Sequence, residues 1–493
     1  MPNQENIDVV IIGAGMSGLA AADYINQGNA DRVEAGLTPL SFVILEGSER
    51  AGGRTRTDPD APGFLEVGGQ YVAPTQSYTQ LMLARFGLET FDTFLPDELT
   101  SLYEPAAGDV IQFQGNYPLT QRLIEAIGGI EAAILPIRAH LERPWECHRA
   151  QELDQVSVED FMQRSLADRD ASDKESAYCR ELLTIAVRSA FSVEPRDISW
   201  FYFLYYGATC GSMQAFENVK GGGDAVRIAY GTQALVKALV NAVGEGNVRY
   251  RSKVETVQHD ATGVTVSYTN EHGEEASIRA QRTIVALSPV IAGKIKFKTP
   301  LQEHRRALAD GAPMAATIKG FLRFDTAWWR KNFTGYVLSA KGPADWIMDN
   351  TWKDPADGLW KYPALMTFIV GDKAKEATKL TAEERRDRLL EQVYRLFGGK
   401  KEDFPCVGYV EQDWLQDRWS GGCPAGCFKP GILTSHGQGL RTPTGKIHWA
   451  GSETATDWMG GYMNGAIQAG IRAASEVLAA QAPSSAQAVA RHG

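Results

Sequence analysis

The chain lacks most features of a secreted, membrane-spanning or nucleic-acid-binding protein. Its first residues, MPNQENIDVV, contain no basic segment followed by an apolar stretch, so no signal peptide is predicted. No run approaches the roughly 20 apolar residues that cross a bilayer. The formal net charge of −10 argues against a nucleic-acid partner, which would favour a basic face. We therefore expect a cytoplasmic protein with no membrane or nucleic-acid partner.

Cysteine is scarce as well. The six thiols are too few and too scattered for a disulfide scaffold, so reduced cysteines are expected. No residue beside the closest pair completes a metal site, and no metal is predicted. The cysteines are Cys147, Cys179, Cys210, Cys406, Cys423 and Cys427.

The apolar content is sufficient for more than one core. The 493 residues, 44% hydrophobic and 22% charged, have the composition of folded globular proteins. One hydrophobic core stops growing at roughly 250–300 residues, so at least two domains are predicted. The acidic balance also mildly favours cationic small molecules as ligands.

The N-terminal segment has the pattern of a dinucleotide-binding fold. Residues 8–12 predict a buried parallel strand, which leads directly into the fingerprint Gly13-x-Gly15-x-x-Gly18. The first glycine suits a tight turn, the second a close approach to a pyrophosphate, and the third close packing of helix on strand. The helix that follows, over residues 19–27, is expected to end at Gly28.

A second strand is predicted at residues 42–46, after a polar connection over 29–39. It ends on the carboxylate of Glu46, which lies 46 − 18 = 28 residues beyond Gly18. This carboxylate is expected to accept hydrogen bonds from an adenosine ribose. The strand, the glycines, the helix and the second strand agree, so the segment predicts dinucleotide binding. The pattern leaves FAD and NAD open.

The remaining pattern predicts helices and two kinds of sheet. Residues 100–240 are mostly helical in pattern, with a core-forming aromatic stripe at 200–206. Residues alternate in polarity from 249 onward, which is typical of antiparallel strands. Further predictions are a strand at 283–287 that returns to the first sheet, strands at 317–324 and 364–370 in a second sheet, a helix with a capping box at 381–384, and a helix at 463–480.

A glycine-arginine loop separates FAD from NAD. Residues 49–55, ERAGGRT, resemble the second FAD signature of the monoamine oxidase and polyamine oxidase family. The resemblance implies that Gly53 permits close approach of the backbone and that Arg54 neutralises the diphosphate. Gly69 and Gln70, in the turn at 68–71, fit the loop that this family places beneath the flavin ring.

The C-terminal part carries the most specific resemblance to this family. Five stretches follow in the order and spacing of monoamine oxidases: Trp414, 420–423, 430–433, 449–456 and 461–463. The implied fold is α/β, with a Rossmann-like FAD-binding domain and a substrate domain of mixed sheet plus helices (α+β). The implied FAD-binding domain is discontinuous and comprises residues 1–100, 240–310 and 408–480. The substrate domain lies between its parts and comprises residues 101–239 and 311–407. A flexible tail follows at 481–493.

The resemblance also implies the site residues. Lys319 would hold a water against flavin N5, and Tyr462 would form one wall of an aromatic cage for the amine. Pro424 stands where monoamine oxidases have the second tyrosine, so the cage is wider and a substrate other than a simple arylalkylamine is expected. Trp414 completes the catalytic set. The expected cofactor-binding residues are Gly13, Gly15, Gly18, Glu46, Gly53, Arg54, Gly69, Gln70, Val254, Cys423, Gly451, Glu453, Gly461 and Met463.

Three of these residues have specific expectations. Cys423 occupies the position of the family's thioether to the flavin, but many relatives hold FAD non-covalently, and the sequence leaves both modes open. Glu453 is expected to contact the ribityl or phosphate region. The helix that begins after Gly461 is expected to point its N-terminus at the flavin, where its dipole stabilises the anionic reduced form.

The resemblance implies a flavin-dependent amine oxidase that acts on a small-molecule amine. FAD would take a hydride from the α-carbon of a primary or secondary amine, the imine would hydrolyse to an aldehyde or ketone, and dioxygen would become hydrogen peroxide. One glycine fingerprint makes a second, nicotinamide-binding domain unexpected. The alternatives are an amino-acid oxidase, which needs a pocket arginine, an amine dehydrogenase, and a flavin-free binding protein resembling Rab GDP-dissociation inhibitors. The particular amine, the electron acceptor and a homodimeric state stay open.

Overall fold

A computed structural model describes residues 5–167 and 173–481. The tail expected at 481–493 lies, from residue 482 onward, outside the described residues. None of the described helices is both long enough and apolar enough to cross a membrane.

The strands are, in chain order, β1 (Glu5–Ile12), β2 (Phe42–Leu45), β3 (Tyr71–Val72), β4 (Thr90–Asp92), β5 (Thr100–Glu104), β6 (Ile111–Phe113), β7 (Val226–Ile228), β8 (Val248–Arg249), β9 (Lys253–His259), β10 (Val264–Thr269), β11 (Glu275–Val285), β12 (Lys296–Phe297), β13 (Thr317–Phe324), β14 (Phe333–Ser339), β15 (Trp346–Asp349), β16 (Trp352–Lys353), β17 (Trp360–Lys361), β18 (Ala364–Val370), β19 (Cys406–Asp413) and β20 (Ile447–Trp449). The α-helices are α1 (Met16–Glu34), α2 (Ser77–Phe86), α3 (Gln121–Ile134), α4 (Ala150–Asp154), α5 (Val158–Ser165), α6 (Lys174–Phe191), α7 (Trp200–Cys210), α8 (Met213–Glu217), α9 (Thr232–Val243), α10 (Pro289–Ala292), α11 (Glu303–Gly311), α12 (Gly371–Ala377), α13 (Ala382–Phe397), α14 (Ile432–His436) and α15 (Met463–Ala480).

The first sheet joins segments that are far apart in the chain. Its order is β12-β9-β10-β11-β1-β2-β8, and β20 also pairs with β11. The strands β2, β1, β11 and β20 run parallel, whereas β10 pairs antiparallel with β9 and β11. The return of β11 to β1 confirms the strand predicted to rejoin this sheet. Helices α1, α9 and α15 share one hydrophobic core with β1 and β2.

The helix after the glycine loop is longer than predicted. It continues through Gly28 to Glu34, so most of the expected connection at 29–39 is helical. A Cβ on Gly28 would lie 2.7 Å from the side chain of Leu478 in α15. The glycine therefore serves close packing of α1 on α15 and does not end the helix, as the sequence had suggested.

The second sheet lies across the cavity from the first. Its order is β19-β13-β18-β15-β14-β5-β6, with β13 antiparallel to both of its neighbours. The strands at 317–324 and 364–370 confirm the predictions. The predicted domain boundary at 407/408 falls inside β19, which pairs with β13 in this sheet. The domain boundaries stay a prediction.

The segment 100–240 is mostly helical, but β5, β6 and β7 interrupt it. These strands have three to five residues. The strand β6 pairs with its neighbour β5, whereas the other partners of β5 and β7 come from distant parts of the chain, which local pattern does not reveal. The aromatic stripe at 200–206 is fully buried in α7, as predicted. The capping box also forms, with Thr381 and Glu384 satisfying each other's backbone amides before α13.

Candidate active site

One cavity of about 770 Å³ extends from the glycine loop to the second sheet. Residues from all parts of the chain line it, including most of those that the sequence singled out. These are Gly13, Gly15, Glu46, Gly53, Arg54, Gly69, Gln70, Val254, Lys319, Trp414, Cys423, Pro424, Gly451, Gly461, Tyr462 and Met463. The fold thus brings Lys319, Cys423 and Tyr462 to one cavity, while their individual roles stay predictions.

Two predicted cofactor-binding residues are absent from the described lining of the cavity, Gly18 and Glu453. A Cβ on Gly18 would lie 1.9 Å from the carbonyl oxygen of Gly13, so this glycine serves close packing of helix on strand. Glu453 is fully buried, and its carboxylate accepts two hydrogen bonds from the guanidinium of Arg54, at 2.7 and 3.1 Å. Glu453 is thus paired with Arg54, and the expected contact of Glu453 with the cofactor stays a prediction.

The guanidinium of Arg54 has several partners inside the protein. Its guanidinium donates to Glu453, to the carbonyl oxygen of Pro424 at 2.6 Å, and to Ser452 Oγ at 3.2 Å. Its positive charge has a partner inside the protein, and the predicted neutralisation of a diphosphate by Arg54 stays a prediction. Burial opposes ionisation of Glu453, but Arg54 holds the pKa of that carboxyl below its usual value. The pair joins the glycine-arginine loop at 49–55 to the C-terminal stretch at 449–456.

The glycine-loop end of the cavity suits a dinucleotide. Helix α1 begins after Gly15, and within the described chain no side chain caps its first amides. Unpaired amides and a positive dipole end attract a phosphate group. The Glu46 carboxylate accepts hydrogen bonds from the backbone amides of Ala14, at 2.7 Å, and Ser48, at 2.8 Å. These bonds fix the Glu46 carboxylate beside the loop, where a ribose hydroxyl would reach it. The amides of α1 as donors to phosphate and Glu46 as acceptor from the ribose therefore fit FAD.

A second helix end faces the cavity. Tyr462 is the N-cap residue of α15, and among the described residues no side chain caps this helix start either. Gly461, Tyr462 and Met463 all line the cavity. The positive end of the α15 dipole therefore points at the cavity, as expected for a site that stabilises a negative charge.

Lys319 is held in place by the turn beneath it. It lies near the middle of β13, is 2% exposed, and its ammonium donates to Gly68 O at 3.0 Å and to Gln70 Oε1 at 2.8 Å. Burial lowers the pKa of Lys319 to about 7, and the nearby carboxylate of Glu66 opposes this shift. A lysine in this state changes its charge near neutral pH.

Cys423 and Pro424 line the same cavity as Lys319. The backbone amide of Cys423 donates to Ala315 O at 3.1 Å, which ties this segment to the start of the second sheet. Burial raises the pKa of the Cys423 thiol to about 11, although Arg54 and Lys319 oppose the shift. A Cβ on Gly461 would lie 3.0 Å from Pro424 Cβ, so the turn before Tyr462 packs directly on Pro424.

Trp414 lines the same cavity. Its ring is buried, and its indole N–H donates to the carbonyl oxygen of Val67 at 2.8 Å. Its backbone amide donates to Thr317 O, which lies two residues before Lys319. The tryptophan thereby joins β13 to the segment that leads into the turn at 68–71.

The other end of the cavity is aromatic. We call it the aromatic end, and it is lined by Tyr71, Tyr117, Tyr206, Phe216, Tyr336, Trp346, Phe368 and Tyr462. Tyr462 packs between Trp458, at 4.8 Å between ring centroids, and Tyr206, at 5.9 Å. The Lys319 ammonium lies 5.2 Å from the ring centroid of Phe368. Electron-rich ring faces attract cations, so these rings suit an amine ligand.

Two carboxylates in this end were not predicted. Glu217, the last residue of α8, and Asp224, in the loop after it, both line the cavity. They lie in a glycine-rich stretch whose local pattern marks only a turn, and no spacing motif includes them. Their position beside the aromatic residues of the cavity is visible only in the structure.

The glycine loop, the two uncapped helix starts and the lysine-aromatic cavity together define a flavoenzyme of the amine-oxidising class. A family model described as flavin containing amine oxidoreductase matches residues 16–478. The chain therefore belongs to the flavin-containing amine oxidoreductase family, and it is an FAD-dependent amine oxidoreductase.

Comparison with individual proteins agrees with this family. The chain is 30% identical to flavin-containing amine oxidase A of Bos taurus over 96% of this chain and 85% of that protein. It is 28% identical to a probable flavin-containing monoamine oxidase A of Dictyostelium discoideum over 95% of this chain and 97% of that protein. The family and its cofactor argue against the alternative of a flavin-free binding protein.

Solved structures show the same fold. Cyclohexylamine oxidase from Brevibacterium oxydans IH-35A superposes with a TM-score of 0.83 at 26% identity, covering 96% of this chain and 99% of that chain. A putrescine oxidase solved with bound putrescine gives 0.84 at 27% identity, covering 97% and 100%. The α/β fold with a Rossmann-like FAD-binding part is thus confirmed.

Proposed function

We propose that this chain oxidises a primary or secondary amine to an imine and reduces dioxygen to hydrogen peroxide. Water then hydrolyses the imine to an aldehyde or ketone. When bound, FAD accepts the hydride from the carbon next to the substrate nitrogen and delivers the electrons to dioxygen. The observation that carries the proposal is the meeting of Lys319, Pro424 and Tyr462 in one cavity with two uncapped helix starts.

The protein's part is binding and orientation. Tyr462 and Pro424 hold the neutral amine between them, and the rings of the aromatic end exclude water from it. The Lys319 ammonium, fixed by Gly68 and Gln70, stabilises negative charge that develops on dioxygen. This group is our reason for proposing dioxygen, and not another acceptor, as the oxidant.

The charges of the aromatic end argue against an amino-acid oxidase. An amino-acid oxidase needs an arginine for the substrate carboxylate, whereas the described residues of this end contribute Glu217 and Asp224 beside Lys319 and no arginine. A substrate carboxylate would meet like charges there, so amines without a carboxylate are the favoured substrates.

A peroxide-release screen tests the proposal. The purified yellow protein is given primary amines, secondary amines, polyamines and amino acids, and hydrogen peroxide is measured. We expect peroxide from amines and little from amino acids. Peroxide from amino acids alone, or from no substrate class, would contradict the proposal.

Pro424 is expected to set the width of the amine cage. Pro424→Tyr adds the second aromatic wall and should raise kcat/KM for small arylalkylamines about threefold to tenfold, which corresponds to one aromatic contact. Pro424→Ala is the control, because it removes the proline without adding a ring. An unchanged substrate profile in Pro424→Tyr would remove the hypothesis that this position determines specificity.

We propose that Cys423 carries FAD through a thioether. Forming the C–S bond removes one hydrogen from the thiol and one from the 8α-methyl carbon, and the two electrons leave with dioxygen as hydrogen peroxide. Acid precipitation should leave the yellow colour in the pellet of the wild type and in the supernatant of Cys423→Ala. Cys427→Ala, which alters a neighbouring buried thiol, is the control. Colour in the wild-type supernatant would mean non-covalent FAD.

A further inference from the structure

A buried carboxylate lies next to the turn that holds Lys319. Glu66 is 3% exposed, and in the part of the chain that the structure describes it is absent from the cavity lining, whereas Gly68, Gly69 and Gln70 line the cavity. The Lys319 ammonium donates to Gly68 O at 3.0 Å and to Gln70 Oε1 at 2.8 Å. The carboxylate is therefore two residues away from a hydrogen-bond partner of the lysine, but outside the cavity.

Three donor groups hold the carboxylate of Glu66. Its Oε1 accepts a hydrogen bond from the backbone amide of Thr232 at 2.6 Å, and its Oε2 accepts one from the Thr232 hydroxyl at 2.6 Å. The Thr57 hydroxyl lies 3.1 and 3.0 Å from the two carboxylate oxygens. Hydrogen bonds donated to a carboxylate favour its ionised form, so these contacts both fix Glu66 and favour its negative charge.

The same carboxylate lies at a helix start. Helix α9 begins at Thr232, and its N-cap residue, Gly231, has no side chain to cap it. Gly231 has a φ of 80°, and a Cβ there would lie 2.6 Å from Glu66 Oε1, so a glycine allows the helix start to approach the carboxylate. The positive end of the α9 dipole stabilises the anion further. Thr232 Oγ1 also lies 3.1 Å from Gly69 O, which joins this helix start to the turn that holds Lys319.

Glu66 is the main negative charge that acts on Lys319. Burial lowers the pKa of Lys319 to about 7, and Glu66 opposes this shift more strongly than Cys423 or Asp224 does. Arg227 acts in the opposite direction and lowers the pKa of Lys319 further. Burial raises the pKa of Glu66, and the hydrogen bonds described above and the charge of Lys319 oppose that shift. The carboxylate and the ammonium therefore stabilise each other's charged form.

The other described neighbours of the Lys319 ammonium supply little charge of their own. The ammonium lies 5.2 Å from the ring centroid of Phe368 and 6.0 Å from that of Tyr71. Burial raises the pKa of Tyr71 well above its usual value, so this phenol stays neutral. Gln412, which pairs with Lys319 across β19 and β13, is uncharged, and its Oε1 accepts a hydrogen bond from Arg56 at 2.7 Å. The lysine thus depends chiefly on Glu66 to retain its proton.

We propose that Glu66 is a positioning residue that keeps Lys319 protonated at neutral pH and thereby sets the pH range in which the enzyme reacts with dioxygen. This inference rests on the proposed role of Lys319 in dioxygen reduction. Glu66 lies outside the cavity lining, so it acts through the charge of the lysine and through the turn at 68–70. The start of α9 in turn holds Glu66 in its ionised form.

The pH profile of the dioxygen reaction tests this inference. In Glu66→Gln the fall of kcat/KM for dioxygen should begin about one to two pH units lower than in the wild type, the usual effect of removing a nearby opposite charge. In Lys319→Met the same substitution should leave the profile unchanged, because no lysine remains to titrate. Glu384→Gln is the matched control, since Glu384 also accepts from a backbone amide at a helix start, that of Thr381 at 2.8 Å, but is exposed. An unchanged profile in Glu66→Gln would overturn the inference.

Nuclear magnetic resonance of the lysine separates this inference from the proposed function. The holoenzyme is labelled with lysine carrying ¹³C at Cε, the Lys319 signal is identified by its loss in Lys319→Met, and its pH titration is followed without substrate. The midpoint should be lower in Glu66→Gln than in the wild type, and equal midpoints would overturn the inference. Absence of peroxide from every amine would overturn the proposed oxidation, and this titration would still decide the role of Glu66.

A second variant keeps the test decisive if Glu66→Gln does not fold. Thr232→Val removes one hydroxyl donor from the carboxylate and keeps the backbone amide. Because burial already raises the pKa of Glu66, loss of this donor should neutralise part of the carboxylate near neutral pH. The Lys319 midpoint should then shift in the same direction by a smaller amount, and a midpoint equal to that of the wild type would overturn the inference.

Discussion

Replacing Lys319 by methionine should lower kcat/KM for dioxygen about a hundredfold, with a smaller effect on reduction of the enzyme by amine. The ammonium is buried and held by Gly68 O and Gln70 Oε1, so it is positioned before the reaction and needs no rearrangement. Removing one such preorganised group from a water-poor site costs about 10²–10³ in rate in other enzymes. Stopped-flow reoxidation of the reduced enzyme at varied oxygen concentrations measures the effect.

Lys379→Met is the control, because it removes an exposed lysine charge that pairs with Glu376 on the surface. Equal reoxidation rates in the wild type and Lys319→Met would contradict the role given to this lysine. A fall in the reductive step alone would also contradict it, since it would place Lys319 with the amine and not with dioxygen.

The same lysine predicts opposite pH slopes for the two half-reactions. Burial lowers its pKa to about 7, so the ammonium is present below that pH and is lost as the pH rises through it. The kcat/KM for dioxygen should therefore fall as the pH rises past about 7. The kcat/KM for the amine should rise, because only the neutral amine reacts. In Lys319→Met the dioxygen slope should vanish, and a wild-type dioxygen rate that rises with pH would contradict the account.

Glu453→Gln should lower the free energy of unfolding by about 3–5 kcal/mol. The substitution leaves the guanidinium of Arg54 without its carboxylate in the interior, and breaking a buried pair from one side costs this much. Glu453 is fully buried, and the side chain of Arg54 is 22% exposed. Urea unfolding of the holoenzyme, followed by circular dichroism, measures this effect.

An exposed pair with the same separation is the matched control. Arg251 and Glu49 are also 2.7 Å apart, but their side chains are 61% and 72% exposed. Glu49→Gln should cost less than about 1 kcal/mol, because water screens the pair. Since Arg54 depresses the pKa of Glu453, the stability it adds is present above the ordinary carboxyl pKa of 4.5 and is lost as the pH falls below it. Equal costs in the two variants would contradict a structural role for the buried pair.

The features that sequence predicted best are those with local causes. The fingerprint at Gly13, Gly15 and Gly18 and the capping box before α13 depend on neighbours in the chain, and both form as expected. Lys319, Cys423 and Tyr462 could be singled out only through the family resemblance, since a strand lysine or a lone cysteine has no distinctive local pattern. They line one cavity because β13, which carries Lys319, pairs with β19, and the segment with Cys423 follows β19 in the chain.

What sequence missed depends on partners far along the chain. Gly28 looked like a helix end, because nothing local reveals that Leu478 packs on it. The ion pair of Glu453 with Arg54 was not expected, because it joins segments at the two ends of the chain. Glu217 and Asp224 were not predicted, because nothing local shows that they line the same cavity as aromatic residues from distant segments.

The central claim is that an amine reacts in the cavity where Lys319, Cys423 and Tyr462 meet. Anaerobic addition of an amine to the yellow holoenzyme tests it most directly, because it isolates the first half of the reaction. The account predicts that the blue absorbance of the oxidised flavin bleaches, and that air restores it with one hydrogen peroxide per flavin. A protein purified without flavin, or a yellow protein that no amine bleaches, would contradict it.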